Sequence, residues 1–147
     1  MGHKMIIGTT RFSTATFEEN HAWRGGRPGC AYGLNRRLPR KIKKGAVVHV
    51  IEMCNTTNKV MGIGIITNRC IFRDDEYRIY SDQNYNRYIY IGKERVDRSA
   101  IKDKVFLEKL EKALFYGKGH MKRGQSVTVM PRSKLEGVEE FIQGLTS

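Results

Sequence analysis

The chain has 147 residues, with 39% hydrophobic and 29% charged side chains, a globular composition long enough to bury a core within one domain spanning 1–147. No apolar run approaches the roughly 20 residues of a membrane span, and no apolar stretch of signal-peptide type opens the sequence. Three dispersed cysteines, Cys30, Cys54 and Cys70, fit neither a disulfide framework nor a zinc site, so the expected setting is intracellular and reducing, cytoplasm or nucleus.

In chain order, the β-branched run 4–9 reads as a first strand. Thr16 and Glu19 have capping-box spacing, which predicts a short helix over 17–24. Glycines and a proline make 24–33 a loop. The basic stretch NRRLPRKIKK fills 35–44. Residues 46–53 form a nearly continuous apolar run, a strand buried on both faces, and 60–67 returns as its hairpin partner after a polar turn. Two further strands are predicted at 77–81 and 87–91 around a turn at 82–86, and the acidic triplet Asp74, Asp75 and Glu76 reads as a turn. Phe106, Leu110, Ala113 and Leu114 recur at helical spacing, with Asp103 as cap and Gly117 as stop. A last strand at 126–130 ends at Pro131. Ser133 and Glu136 then predict a cap for an amphipathic helix carrying Leu135, Val138, Ile142 and Leu145. The sum is an α+β domain of about five to six mostly antiparallel strands with two to three helices.

The net charge is +12 and uneven: residues 1–73 hold 13 Lys and Arg against 3 Asp and Glu, whereas 74–147 hold 14 against 12. Such a field speaks to partners rather than to fold, and a polyanion is the expected one, nucleic acid before anionic membrane. The plainer alternative is a solubilising surface. Two clusters carry the phosphate reading: Arg36, Arg37, Arg40, Lys41, Lys43 and Lys44, and the loop with Lys118, His120, Lys122 and Arg123. In that loop, glycines 117, 119 and 124 would let backbone amides approach an anion. Residues 119–126, GHMKRGQS, miss a P-loop because Gln125 replaces the lysine and a strand, not a helix, follows.

Five of the seven tyrosines lie between 77 and 90, interleaved with Arg78 and Arg87, a composition suited to stacking on unpaired bases. Strand propensity explains some of them equally well. Alternation places Ile89 and Ile91 inward and Tyr88 and Tyr90 outward or toward a groove. Trp23, beside a glycine loop, is either core or one wall of a base pocket. Gly62 and Gly64 leave one strand face bare for close approach of another group. Catalytic signals are thin. Glu18 and His21 form the one pair placed for acid–base work, His49 reads as a hydrogen-bonded core histidine, and no metal site or cofactor is expected.

Residues 44–66, KGAVVHVIEMCNTTNKVMGIGII, resemble the central hairpin of the PUA-like superfamily, in particular its EVE, YTH and ASCH branches. Lys44-Gly45, the run 47–51, Val60 and Gly62-Ile63-Gly64 match in order. Ala46 departs from the acidic residue usual there, and the segments QNYNRYIY and KGHMKRGQ look more like small proteins of large DNA viruses. The resemblance implies an open pseudo-barrel with a pocket beside the hairpin, where EVE and YTH relatives hold a modified base. By position it puts Thr9 and Thr10 at the pocket floor and Trp23 and Tyr32 at its walls, with Tyr85 and Tyr88 added from the tyrosine cluster. The expected function is a nucleic-acid-binding module, with RNA favoured over DNA. The alternatives are a small ASCH-type hydrolase or ribonuclease and a non-specific basic packaging protein.

Overall fold

The computed structural model describes residues 5–72 and 75–146. Lys4 of the expected first strand and Asp74 of the expected acidic turn lie outside the described residues. The architecture is α+β. In chain order come β1 (Ile6–Phe12), α1 (Thr14–Arg24), β2 (Cys30–Leu34), β3 (Val47–Cys54), β4 (Lys59–Thr67), β5 (Ile71–Phe72), β6 (Tyr88–Gly92), β7 (Glu94–Asp97), α2 (Lys104–Phe115), β8 (Thr128–Val129) and α3 (Val138–Thr146). Eight strands are therefore present among the described residues, against the five to six expected. They form a five-stranded sheet ordered β7-β4-β3-β1-β8 and a three-stranded sheet ordered β2-β6-β5, not closed into a barrel. Only the β1–β3 pair is parallel; the other pairs are antiparallel. No helix among the described residues is long and apolar enough to cross a membrane.

The hairpin β3–β4 is the centre of the larger sheet, and both its faces are covered. Val48 and Val50 face a core shared with Tyr32, Leu34, Ile89 and Tyr90 of the smaller sheet. Ile51 and Met53 face the opposite core, built with Leu107, Leu110, Leu114 and Ile142 of α2 and α3. This two-sided burial explains the nearly unbroken apolar run. Alternation also sends Glu52 toward the smaller sheet, where it is 2% exposed.

Several expectations are corrected. The cap of α1 is Ser13, whose Oγ accepts from Thr16 N at 3.1 Å while Thr16 Oγ1 accepts from Ser13 N at 2.9 Å, so the helix starts earlier than the Thr16–Glu19 pair implies. Glu19 instead accepts from Ser81 N at 2.8 Å. The loop expected over 24–33 gives way to a strand at Cys30, because β2 pairs along its length with β6 and every residue of it is buried. The strand expected at 77–81 is absent. Asn86 takes the place of a strand partner: its Oδ1 accepts from Ile79 N and Tyr80 N at 3.1 and 3.0 Å, and its Nδ2 donates to Tyr80 O at 2.6 Å. In β6, Ile89 is buried and Tyr88 only partly so, as the alternation implies, but Tyr90 is buried as well and Ile91 exposed, since the Tyr90 hydroxyl accepts from Leu38 N at 3.1 Å inside the core. α3 starts at Val138 rather than under a Ser133 cap, because Arg132–Lys134 forms a separate 3-10 turn.

Candidate functional site

A cleft of about 370 Å³ opens where β1 ends and α1 begins. Its aromatic side comes from Phe12, Tyr32, Tyr80 and Tyr85, and its polar side from Thr10, Ser13, Asn35, Asn55 and Ser126. Tyr80 is held in place by Asn20, whose Nδ2 donates to its hydroxyl at 2.9 Å and to Ala31 O at 2.7 Å. Tyr85 is 42% exposed and forms the rim. Of the expected pocket residues, Thr10, Tyr32 and Tyr85 line this one cleft.

The other expected pocket residues lie elsewhere. Thr9 is buried under the cleft, where its Oγ1 accepts from Arg11 at 3.1 Å. Tyr88 meets Phe72 edge-on at 5.7 Å on the smaller sheet, and the Arg37 guanidinium lies 4.6 Å from the Phe72 ring and 5.6 Å from the Tyr88 ring. Arg87 also covers Tyr88, at 5.5 Å. Phe72, 52% exposed, is an aromatic the sequence reading did not single out. Trp23 belongs to a separate groove of about 660 Å³ and does not line the cleft.

Beneath the cleft lies a buried ion pair. Arg95 grips Glu52 with two bonds, Nε to Oε2 at 2.9 Å and Nη2 to Oε1 at 2.7 Å, and Tyr32 donates to Glu52 Oε2 at 2.6 Å. Gly64 makes the room: a Cβ there would stand 2.2 Å from the Tyr32 hydroxyl and 2.6 Å from Cys30 Sγ. The bare face expected at Gly62 and Gly64 is thus filled by the protein itself. Burial, then the Glu52 carboxylate, push the Tyr32 hydroxyl well above its ordinary range and the Cys30 thiol up to about 12. Tyr32 therefore serves as a fixed hydrogen-bond donor, not as a base.

Two basic loops meet at the cleft mouth. The stretch 35–44 anchors itself by burying Leu38 and Ile42, which turns its intervening cations outward. The second loop is tied to β1 by Arg11. All five guanidinium N–H groups are used: Nε to Gly124 O at 3.0 Å, Nη1 to Thr9 Oγ1 and Met121 O at 3.1 and 3.3 Å, and Nη2 to Ser126 O and Thr128 Oγ1 at 2.5 and 3.0 Å. The loop's carbonyls therefore turn toward Arg11, and the space at Gly124 is filled by the Arg11 and Thr128 side chains rather than left for an anion. Ser126 joins the two loops, accepting from Arg36 N at 3.0 Å and donating to Asn35 Oδ1 at 2.7 Å. Its φ of 59° is left-handed, a conformation these bonds must hold in place. Asn55, in the β3–β4 turn, adds a bond from Nδ2 to Lys122 O at 3.0 Å.

Among the described residues, Arg36, Arg40, Lys41, Lys43, Lys44, Lys118, Lys122 and Arg123 make no side-chain hydrogen bond or ion pair. His120 is engaged locally, its Nδ1 accepting from Lys122 N at 3.3 Å. Glu18 and His21 are exposed on α1 and line neither the cleft nor the Trp23 groove. His49 is half-buried, and its Nδ1 has no hydrogen-bond partner among the described residues, contrary to the bonded core histidine expected; burial lowers its pKa despite Glu94 nearby. Arg11 and Ser126, the residues that shape the cleft mouth, were missed from sequence. A lone Arg two positions after a Thr in an apolar strand was the available signal.

No known protein family, curated protein or solved structure matches the chain.

Proposed function

We propose that this protein binds single-stranded nucleic acid, RNA in preference to DNA, with one unstacked base, modified or not, in the cleft and flanking phosphates on the two basic loops. The observation that carries the reading is the Ser126 junction. It brings cation-bearing segments some 90 residues apart in sequence to one mouth, beside exposed Tyr85. A volume of about 370 Å³ suits a group of nucleobase size. Unpaired cations on the two loops that meet there suit phosphates. The Arg37, Phe72 and Tyr88 cluster continues from the first loop as an exposed stacking surface. In this reading the chain is a PUA-like domain, since the cleft lies beside the turn of the central hairpin, at Asn55 and Thr56.

The test is binding of labelled single-stranded RNA to the parent and to Tyr85→Ala. Base stacking on an aromatic ring contributes about 1–3 kcal/mol, so affinity should fall by about fivefold or more. An unchanged affinity would remove the base from the cleft.

A further inference from the structure

Trp23 and the glycine loop after α1 are not used by the cleft, yet they build a second groove on the outer side of β2. Trp23 and Tyr77 form its aromatic wall, ring centroids 5.6 Å apart, and Ala31, Ile65 and the 43% exposed Ile91 extend the apolar surface. Its volume, about 660 Å³, is that of a small-molecule site. Three cations line it, Arg24, Arg27 and Lys93, against one carboxylate, Glu94. The Arg27 guanidinium lies 4.5 Å from the Trp23 ring centroid, over the indole face. Arg24 is oriented by a bond from Nε to Asn20 Oδ1 at 2.8 Å, yet its Nη2 is buried with no hydrogen-bond partner among the described residues. That nitrogen is closed off from solvent beside Phe17, 6.0 Å from the guanidinium carbon, so a ligand in the groove meets the other atoms of Arg24 that line it.

We propose that this groove binds a nucleoside monophosphate unit, its base along the apolar wall of Trp23, Tyr77 and Ile91 and its phosphate on Arg24 and Arg27, the latter leaving the indole face to take it. Charge complementarity selects the occupant: an apolar, aromatic wall takes a flat ring, and an excess of guanidinium groups takes a phosphate in forked geometry. The unit is either a free nucleotide or one nucleotide of a strand. The site stands independently of the cleft.

Trp23 is the single tryptophan of the chain, so its fluorescence reports on this groove alone. The experiment titrates the protein with adenosine 5′-monophosphate and, in a second arm, with a short single-stranded RNA, exciting near the red edge of indole absorption. Saturable quenching by the monophosphate is expected, with adenosine and inorganic phosphate each at least tenfold weaker. Arg27→Ala and Arg24→Lys should each weaken the response at least fivefold; Arg27 is exposed and its replacement leaves the core untouched. In the monophosphate arm, Glu18→Ala, at an exposed residue that lines neither site, should titrate as the parent does, and Tyr85→Ala, which weakens RNA binding at the cleft, should leave the monophosphate response in place. Quenching in the RNA arm means that the groove holds a nucleotide of a strand, and quenching in the first arm alone means a free nucleotide. Absence of quenching in both arms, or quenching insensitive to both arginine variants, overturns the proposal whatever becomes of the cleft.

Discussion

The buried pair Glu52–Arg95 shows how one residue choice commits its neighbours. Both side chains are almost fully withdrawn from water, at 3% and 6% exposure, so each charge depends on the other and on the Tyr32 hydroxyl. Removing one partner leaves an uncompensated buried charge, at a cost of about 3–5 kcal/mol. Arg95→Ala should lose stability of that order in urea unfolding, and a loss below about 1 kcal/mol would show that water reaches Glu52. Arg95 also bonds Asp97 at 2.9 Å, at the exposed edge of the same network. Partial burial alone would raise the Asp97 carboxyl, but hydrogen bonds from Arg95 and Ser99 outweigh it and hold it at about 2, below the ordinary 3.8. Its contribution is therefore complete above about pH 4 and is lost as the pH falls toward 2. Asp97→Asn should flatten the stability profile in that window. An unaltered acid limb in the variant would place the acid sensitivity elsewhere.

At the scale of elements, what was legible depended on whether the decisive contact was local. The hairpin β3–β4 and helix α2 announce themselves through continuous or periodic apolar residues, and Asp103 caps α2 as its position implies, accepting from Phe106 N at 3.0 Å. β2 was hidden because Gly29 precedes it and Gly33 interrupts it, and only pairing with β6, far along the chain, makes a strand of it. The false strand at 77–81 has strand-like residues whose amides are claimed by Asn86. The cleft was half legible. Thr10, Tyr32 and Tyr85 line one cleft, while Arg11 and Ser126 act over separations of more than 85 residues that no local pattern reveals. Ser126 is the element-level test. Ser126→Ala keeps the fold but frees Asn35 and Arg36 from the second loop, so amide exchange at 35–37 and 121–126 should quicken, with a stability loss of about 1 kcal/mol. Unchanged exchange there would mean that the loops hold their places without this junction.

For the whole molecule, the excess charge of the first half lies largely in a loop whose apolar residues point inward and whose cations point out. The second cluster joins it through Ser126, which meets Asn35 and the Arg36 backbone beside the aromatic cleft, while Lys41 and Lys43 lie farther off along a groove with Met5 and His49. A basic surface of that kind binds by releasing counterions, which makes log affinity fall linearly with log salt at about 0.7 per phosphate neutralised on a single strand. The most direct measurement is fluorescence anisotropy with labelled single-stranded RNA across a salt series, comparing the parent with the variant in which Arg36, Arg37, Arg40 and Lys41 are alanine. The parent should give a steep slope and the variant one shallower by about 2 to 3, with affinity down at least a hundredfold at low salt. Equal slopes and equal affinities, or no binding by the parent at any salt, would contradict the proposed binding.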